Sequence, residues 1–127
     1  MNVELAPDIQ SRLRSIVETI PLTYIDSGRI TCVRSRDTKT RARARIWSFP
    51  SIWQFALKMK PRYVIEVVSQ HFDHLTTDDK TRVIIHELMH IPKTFSGALV
   101  PHRSRHHRID RRSVEKMFTI YKNSVNL

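Results

Sequence analysis

The sequence predicts an α+β fold, and three observations carry that reading. Apolar residues recur at helical spacing near both ends of the chain and around VIIHELMHIP (Val83 to Pro92). Between them lie three β-branched or alternating runs that suit a small, mostly antiparallel sheet. The 127 residues, 40% of them hydrophobic, are enough for one packed core and too few for two, so a single domain over 1–127 is expected.

The elements follow in order. Ala6 to Ile20 reads as an N-terminal amphipathic helix, with Ile9, Leu13, Ile16, Val17 and Ile20 on one face and Pro21 as its stop. Ile30 to Arg36 reads as a strand and DTKT (37–40) as a tight turn. Arg41 to Trp47 alternates strictly, which predicts Ala42, Ala44 and Ile46 inside and Arg41, Arg43 and Arg45 outside, the two strands forming a hairpin. From Ser48 to Lys60 the secondary structure is ambiguous. Ile46, Trp47, Phe49, Ile52, Trp53 and Phe55 are dense enough there to suggest core or rim packing. Tyr63 to Ser69 is a strand. Thr76 and Thr77 before Asp78 and Asp79 signal a helix start, and that helix runs to His90 or Ile91 because Pro92 cannot continue it. An irregular loop over 93–107 contains Gly97 and Pro101. Arg111 to Lys122 is a last helix with Val114, Met117, Phe118 and Tyr121 on one face.

Composition limits the functional classes. No apolar run approaches the roughly 20 residues that span a bilayer, and the first residues lack a secretory h-region, so a cytoplasmic protein without a membrane partner is expected. The lone Cys32 excludes an intrachain disulfide or a cysteine-based knuckle and reads as an inert core thiol. Lys and Arg number 22 against 12 Asp and Glu, a net +10 that favours polyanionic partners.

The chemistry concentrates in the central helix. Residues four apart share a helix face, so His86 and His90 can present imidazole nitrogens to one ion. Zinc suits such ligands. Glu87 is rotated about 100° from His86, so it cannot join the same clamp but can reach a water at an open position, as a general base does. The alternative is an ordinary buried helix whose histidines are satisfied by hydrogen bonds. Its flanks Val83, Ile84, Ile85, Leu88, Met89 and Ile91 are uncharged, and polar groups buried among them need partners.

A catalytic site needs a third protein ligand. The chain turns at Pro92 and can turn again at Gly97, which brings His102, His106, His107, Asp110 and Glu115 into range. His102, stiffened by Pro101, is favoured over His106 or His107, with Asp110 and Glu115 as further alternatives. Arg103, His106, His107 and Tyr121 are candidates to stabilise an oxyanion. Glu115 could instead orient a ligating histidine. His71 and His74 read as surface or cap residues.

HELMHIPKTFSGALVPH (residues 86–102) resembles the signature of small metallopeptidases of archaea and phages: HELxHIP, an F-x-G turn, then P-H. The resemblance covers roughly residues 42 to 121. It implies a minimal zincin core with Zn2+ bound by His86, His90 and His102, Glu87 as base, and a peptide or protein substrate. The group is distantly similar to SprT/Spartan-type proteases, which are DNA-associated. Two departures stand out. Proline is unusual so close to the second histidine, and the G-x-x-H of metzincins is lacking, which excludes that subgroup. In zincins an edge strand beside the active-site helix usually holds the substrate. Here Arg41–Trp47 or Tyr63–Ser69 would serve.

A competing reading is a nucleic-acid-binding protein with a structural or vestigial zinc site. Its support is Arg41, Arg43 and Arg45 on one strand face, and Arg103, Arg105, Arg108, Arg111 and Arg112 in the C-terminal part.

Overall fold

The computed structural model describes residues 2–103 and 108–126. Its elements run β1 (Asn2–Leu5), α1 (Pro7–Thr19), β2 (Ile30–Arg36), β3 (Ala44–Trp47), α2 (Ser51–Leu57), β4 (Tyr63–Val68), α3 (Ser69–Phe72), α4 (Thr77–Leu88) and α5 (Arg111–Val125). A single 3₁₀ turn at Ser27–Arg29, capped by Asp26, leads into β2. The architecture is α+β, as the sequence predicts. No described helix is long and apolar enough to cross a membrane.

The four strands lie in the order β1-β2-β4-β3. β1 is antiparallel to β2, β2 is parallel to β4, and β4 is antiparallel to β3. The expected β2–β3 hairpin therefore does not form, because β4 sits between the two strands. β4 is the strand that must be central: apart from Val64 all its residues are buried, so both of its faces and both of its edges need cover. β1 has no apolar pattern, with four exposed residues in a row, and is held by backbone pairing. β3 is shorter than the alternating run, covering only its second half.

Helices pack on the sheet face that carries Ile30, Cys32, Ala44, Tyr63, Ile65 and Val67. α1 contributes Ile9, Leu13 and Ile16, α4 contributes Ile84, Ile85 and Leu88, and α5 contributes Val114 and Phe118. Cys32 is in this core, and burial pushes its thiol up to about 12, which makes it unreactive.

The opposite face of the sheet holds a buried charge. Glu66, 3% exposed, accepts hydrogen bonds from Arg45 Nε at 2.8 Å, from Trp47 Nε1 at 2.9 Å and from the Ser35 hydroxyl. Burial alone would raise its carboxyl. The bonds from Arg45, Ser35 and Trp47 outweigh burial and hold it below the usual glutamate value. Arg45 is thus committed to Glu66 rather than offered to solvent with Arg41.

The Ser48–Lys60 segment corrects a second expectation. α2 is not packed into the core. Trp47, Ile52, Trp53 and Phe55 are exposed; only Ile46 packs against the core and Phe49 is half-buried. Sequence density marked these residues as apolar, but burial requires a surface opposite them, and β3 is an edge strand.

Candidate metal centre

α4 begins with Thr76, whose hydroxyl accepts from the Asp79 N–H at 3.1 Å, and Asp78 and Asp79 lie in its first turn, where negative charge is favourable. Its last turn tightens. The His90 and Ile91 N–H groups bond to Glu87 O and Leu88 O, three residues back, and the regular helix ends at Leu88, short of the His90 or Ile91 that the sequence suggests. Pro92 then diverts the chain.

The returning loop is pinned at several points. Tyr63 Oη accepts from the Gly97 N–H at 2.9 Å and donates to Ala98 O at 2.7 Å. Phe49 N–H bonds to Gly97 O, and the Gln54 amide bonds to Phe49 O and Ser96 O. Val100 N–H bonds to His90 O at 2.8 Å. Gly97 is at φ +90, and a Cβ there would stand 2.3 Å from Phe49 O and 2.4 Å from Gln54 Nε2. Gly97→Ala is expected to cost about 3 kcal/mol, through backbone strain and the forced displacement of Phe49. Thermal denaturation checks this, and an unchanged Tm would mean the loop has slack that these contacts do not suggest.

This loop delivers His102 to α4. Ligand atoms of His86, His90 and His102 all lie within 4.8 Å of one another. His86 Nε2 and His102 Nε2 are 3.0 Å apart. His90 Nδ1 is 2.7 Å from Val100 O, and since a carbonyl only accepts, Nδ1 carries the proton. That bond directs Nε2 toward the other two rings, the usual way a ligating histidine is oriented. Burial, then the neighbouring His90 and His102, lowers His86 to about 4, so it is neutral at pH 7, the form a cation needs.

Glu87 is buried beside this group. Its Oε2 has no hydrogen-bond partner among the described residues, and burial raises its carboxyl to about 8. A buried carboxyl without a partner is costly in a fold whose other buried glutamate, Glu66, is bonded on all sides. His86 and Glu87 line a cleft of about 640 Å³ together with Arg43 and Ala44 from the β3 edge and Arg111 and Val114 from α5.

The other candidate residues stand outside the histidine cluster, although Asp110 and Glu115 line the same cleft as His86 and Glu87. Both carboxylate oxygens of Glu115 bond to Arg82, at 2.9 and 3.2 Å, so Glu115 does not orient a histidine; the Val100 carbonyl does. Asp110 caps α5, accepting from the Ser113 N–H. Tyr121 Oη lies 3.4 Å from Ser15 Oγ on α1, away from the cleft. His71 contacts Thr40 O and His74 is exposed. Arg103 is exposed and forms an isolated bridge with Arg108. His106, His107 and Arg105 lie outside the described residues. Of the two candidate substrate strands, β4 is interior and only β3 presents an edge. Arg43, read from the sequence as part of an outward basic stripe, instead lines the cleft.

The two shifted groups give the protein freed of metal by a chelator a predictable pH response. Glu87 is raised from 4.5 to about 8, so the stability it confers is full below 4.5 and is lost as pH rises through 8. His86 is lowered from 6.5 to about 4, so its contribution is present above 6.5 and lost as pH falls through 4. Between those extremes the slopes oppose. From pH 6.5 to 8 the Glu87 contribution is expected to lower the unfolding free energy by at most about 2 kcal/mol. Denaturant titration across that window checks it, and Glu87→Gln should flatten the slope.

A sheet covered by helices, one of which presents two histidines to a third from a pinned loop, is a framework that could hold a metal ion. Over residues 1–123 the chain matches the model of a family described as "putative phage metallopeptidase", and it belongs to that family. No curated protein and no solved structure matches it.

Proposed function

We propose that residues 1–127 form one zinc-dependent metallopeptidase domain, in which His86, His90 and His102 hold Zn2+ and Glu87 is the general base. The observation that carries this reading is the convergence of three imidazoles, of which burial holds His86 neutral, beside a buried carboxyl oxygen with no partner among the described residues. Imidazole nitrogens suit zinc, and three such ligands leave a fourth position for reaction. When bound, zinc lowers the pKa of water toward 7 and polarises a carbonyl. Glu87 accepts the proton from the attacking water and returns it to the leaving amide nitrogen. His90 is kept in its ligating tautomer by the Val100 carbonyl. The open edge of β3 offers backbone groups to an extended peptide beside the cleft, and Arg43 and Arg111 are the cations placed to bind its carbonyl oxygens.

Protein purified without chelator is expected to carry about one zinc per chain and to cleave an unfolded protein such as casein. Activity should vanish with chelator and return with zinc. Metal-free protein that takes up none on zinc addition would sink the reading.

A further inference from the structure

Residues 38–65 contain no Asp or Glu and seven cations: Lys39, Arg41, Arg43, Arg45, Lys58, Lys60 and Arg62. α2 lies within this stretch. Its Ile52, Trp53, Phe55 and Leu57 are 69, 57, 83 and 53% exposed, and Trp47 before it and Met59 after it are 49 and 41% exposed. At 100° per residue, the apolar side chains from Ile52 to Leu57 sweep about 200° of the helix surface, twice the stripe a core-facing helix buries. Gln54 stands opposite and ties the helix to Phe49 O and Ser96 O. The helix is thus fastened by one polar residue and projects its apolar surface outward. Exposed apolar patches of this kind mark contact surfaces.

The chemistry of the patch selects its occupant. A second copy would bring the same acid-free surface against it, setting Lys58, Lys60 and Arg62 against their like. A nucleic acid would use the cations and the indoles but give Ile52, Leu57 and Met59 nothing to contact. A bilayer interface accepts a wide apolar arc of a helix lying in its plane, takes Trp at the headgroup level and takes Phe, Leu and Ile below it. The flank fits an anionic surface. Lys58, Lys60 and Arg62 are exposed, make no ion pair among the described residues, and Lys58 and Lys60 border one shallow hollow with Phe55 and Met59. We propose that α2 and its basic flank are a peripheral membrane element that inserts Trp53, Phe55 and Leu57 into the interface of an anionic bilayer. Surface insertion needs no spanning helix, and it stands independently of the peptidase reading.

The chain contains two tryptophans, both partly exposed: Trp53 on α2, and Trp47 just before it, so tryptophan emission excited at 295 nm reports on this region, and Trp47→Phe isolates the Trp53 signal. Full-length protein is mixed with phosphatidylcholine vesicles or with vesicles containing phosphatidylglycerol. The expected result is co-sedimentation with the anionic vesicles, a blue shift of tryptophan emission, and quenching by brominated acyl chains. Phe55→Asp, a change at a position too exposed to threaten folding, should lower partitioning by about tenfold or more. Lys58→Glu with Lys60→Glu should remove the preference for anionic lipid. Circular dichroism verifies the fold of each variant. Absence of binding to either vesicle overturns the proposal, as does sedimentation without a blue shift, which would be charge attraction alone. A blue shift that grows with protein concentration in the absence of lipid would assign the patch to a second copy. Quenching by single-stranded DNA without any lipid effect would assign it to nucleic acid.

Discussion

Glu87→Gln is expected to retain metal while losing hydrolysis by about 10²–10⁴-fold, the usual worth of a positioned acid–base group. Glutamine keeps the shape of the side chain and its burial on α4, so the packing around Ile84, Ile85 and Leu88 is undisturbed. Since burial holds the carboxyl protonated up to about 8 in the absence of a cation, a neutral amide there costs the fold little at pH 7. The amide cannot accept the proton of an attacking water. The loss should therefore appear in kcat, with metal content and Tm unchanged. Hydrolysis within about tenfold of the parent, at full zinc content, would remove Glu87 from the role of base and would require another acceptor in the cleft.

What could be read in the sequence was what is local. The helices were legible because α1, α4 and α5 each bury one face at helical spacing. His86, Glu87 and His90 were legible because spacing on one helix fixes their mutual direction without knowledge of the rest of the fold. His102 was nearly so, since Pro92 and Gly97 are turn-makers whose positions limit where the chain returns. Strand order was not legible. Only the burial of β4 on all sides explains why it separates β2 from β3, and burial is a property of the assembled sheet. β1 was missed because its four residues are exposed and carry no apolar pattern, its hold on β2 coming from backbone pairing and the Glu4–Arg36 ion pair. Arg45 looked like its neighbours Arg41 and Arg43 until Glu66, 21 positions away, was placed against it. Arg43, in turn, enters the cleft because β3 is the edge next to α4. Apolar density identified the residues around α2 and gave the wrong environment for them, because hydrophobicity states a preference for burial and not the presence of a surface to bury against.

His102→Ala should lower metal affinity at least about a hundredfold, since it removes one of the three proposed ligands outright, where losing a supporting hydrogen bond alone costs 10–100-fold. It is a cleaner test than His90→Ala. His90 is tied to Val100 both through its backbone carbonyl and through Nδ1, so removing its ring also loosens the loop. His102 is exposed, and its ring contacts the other two histidines, so its loss leaves the core intact. The metal-free Tm of the variant should match that of the parent. Zinc should raise the parent's Tm through binding to the native state, and the same concentration should leave the variant almost unmoved. His71→Ala, a histidine bonded to Thr40 O outside the cluster, serves as the control and should respond to zinc as the parent does. Full zinc-dependent stabilisation in His102→Ala would move the third ligand to another group, with His106 and His107 next to be substituted. Loss of the response in His102→Ala alone would tie ion binding to the loop that Pro92, Gly97 and Tyr63 fold back onto α4.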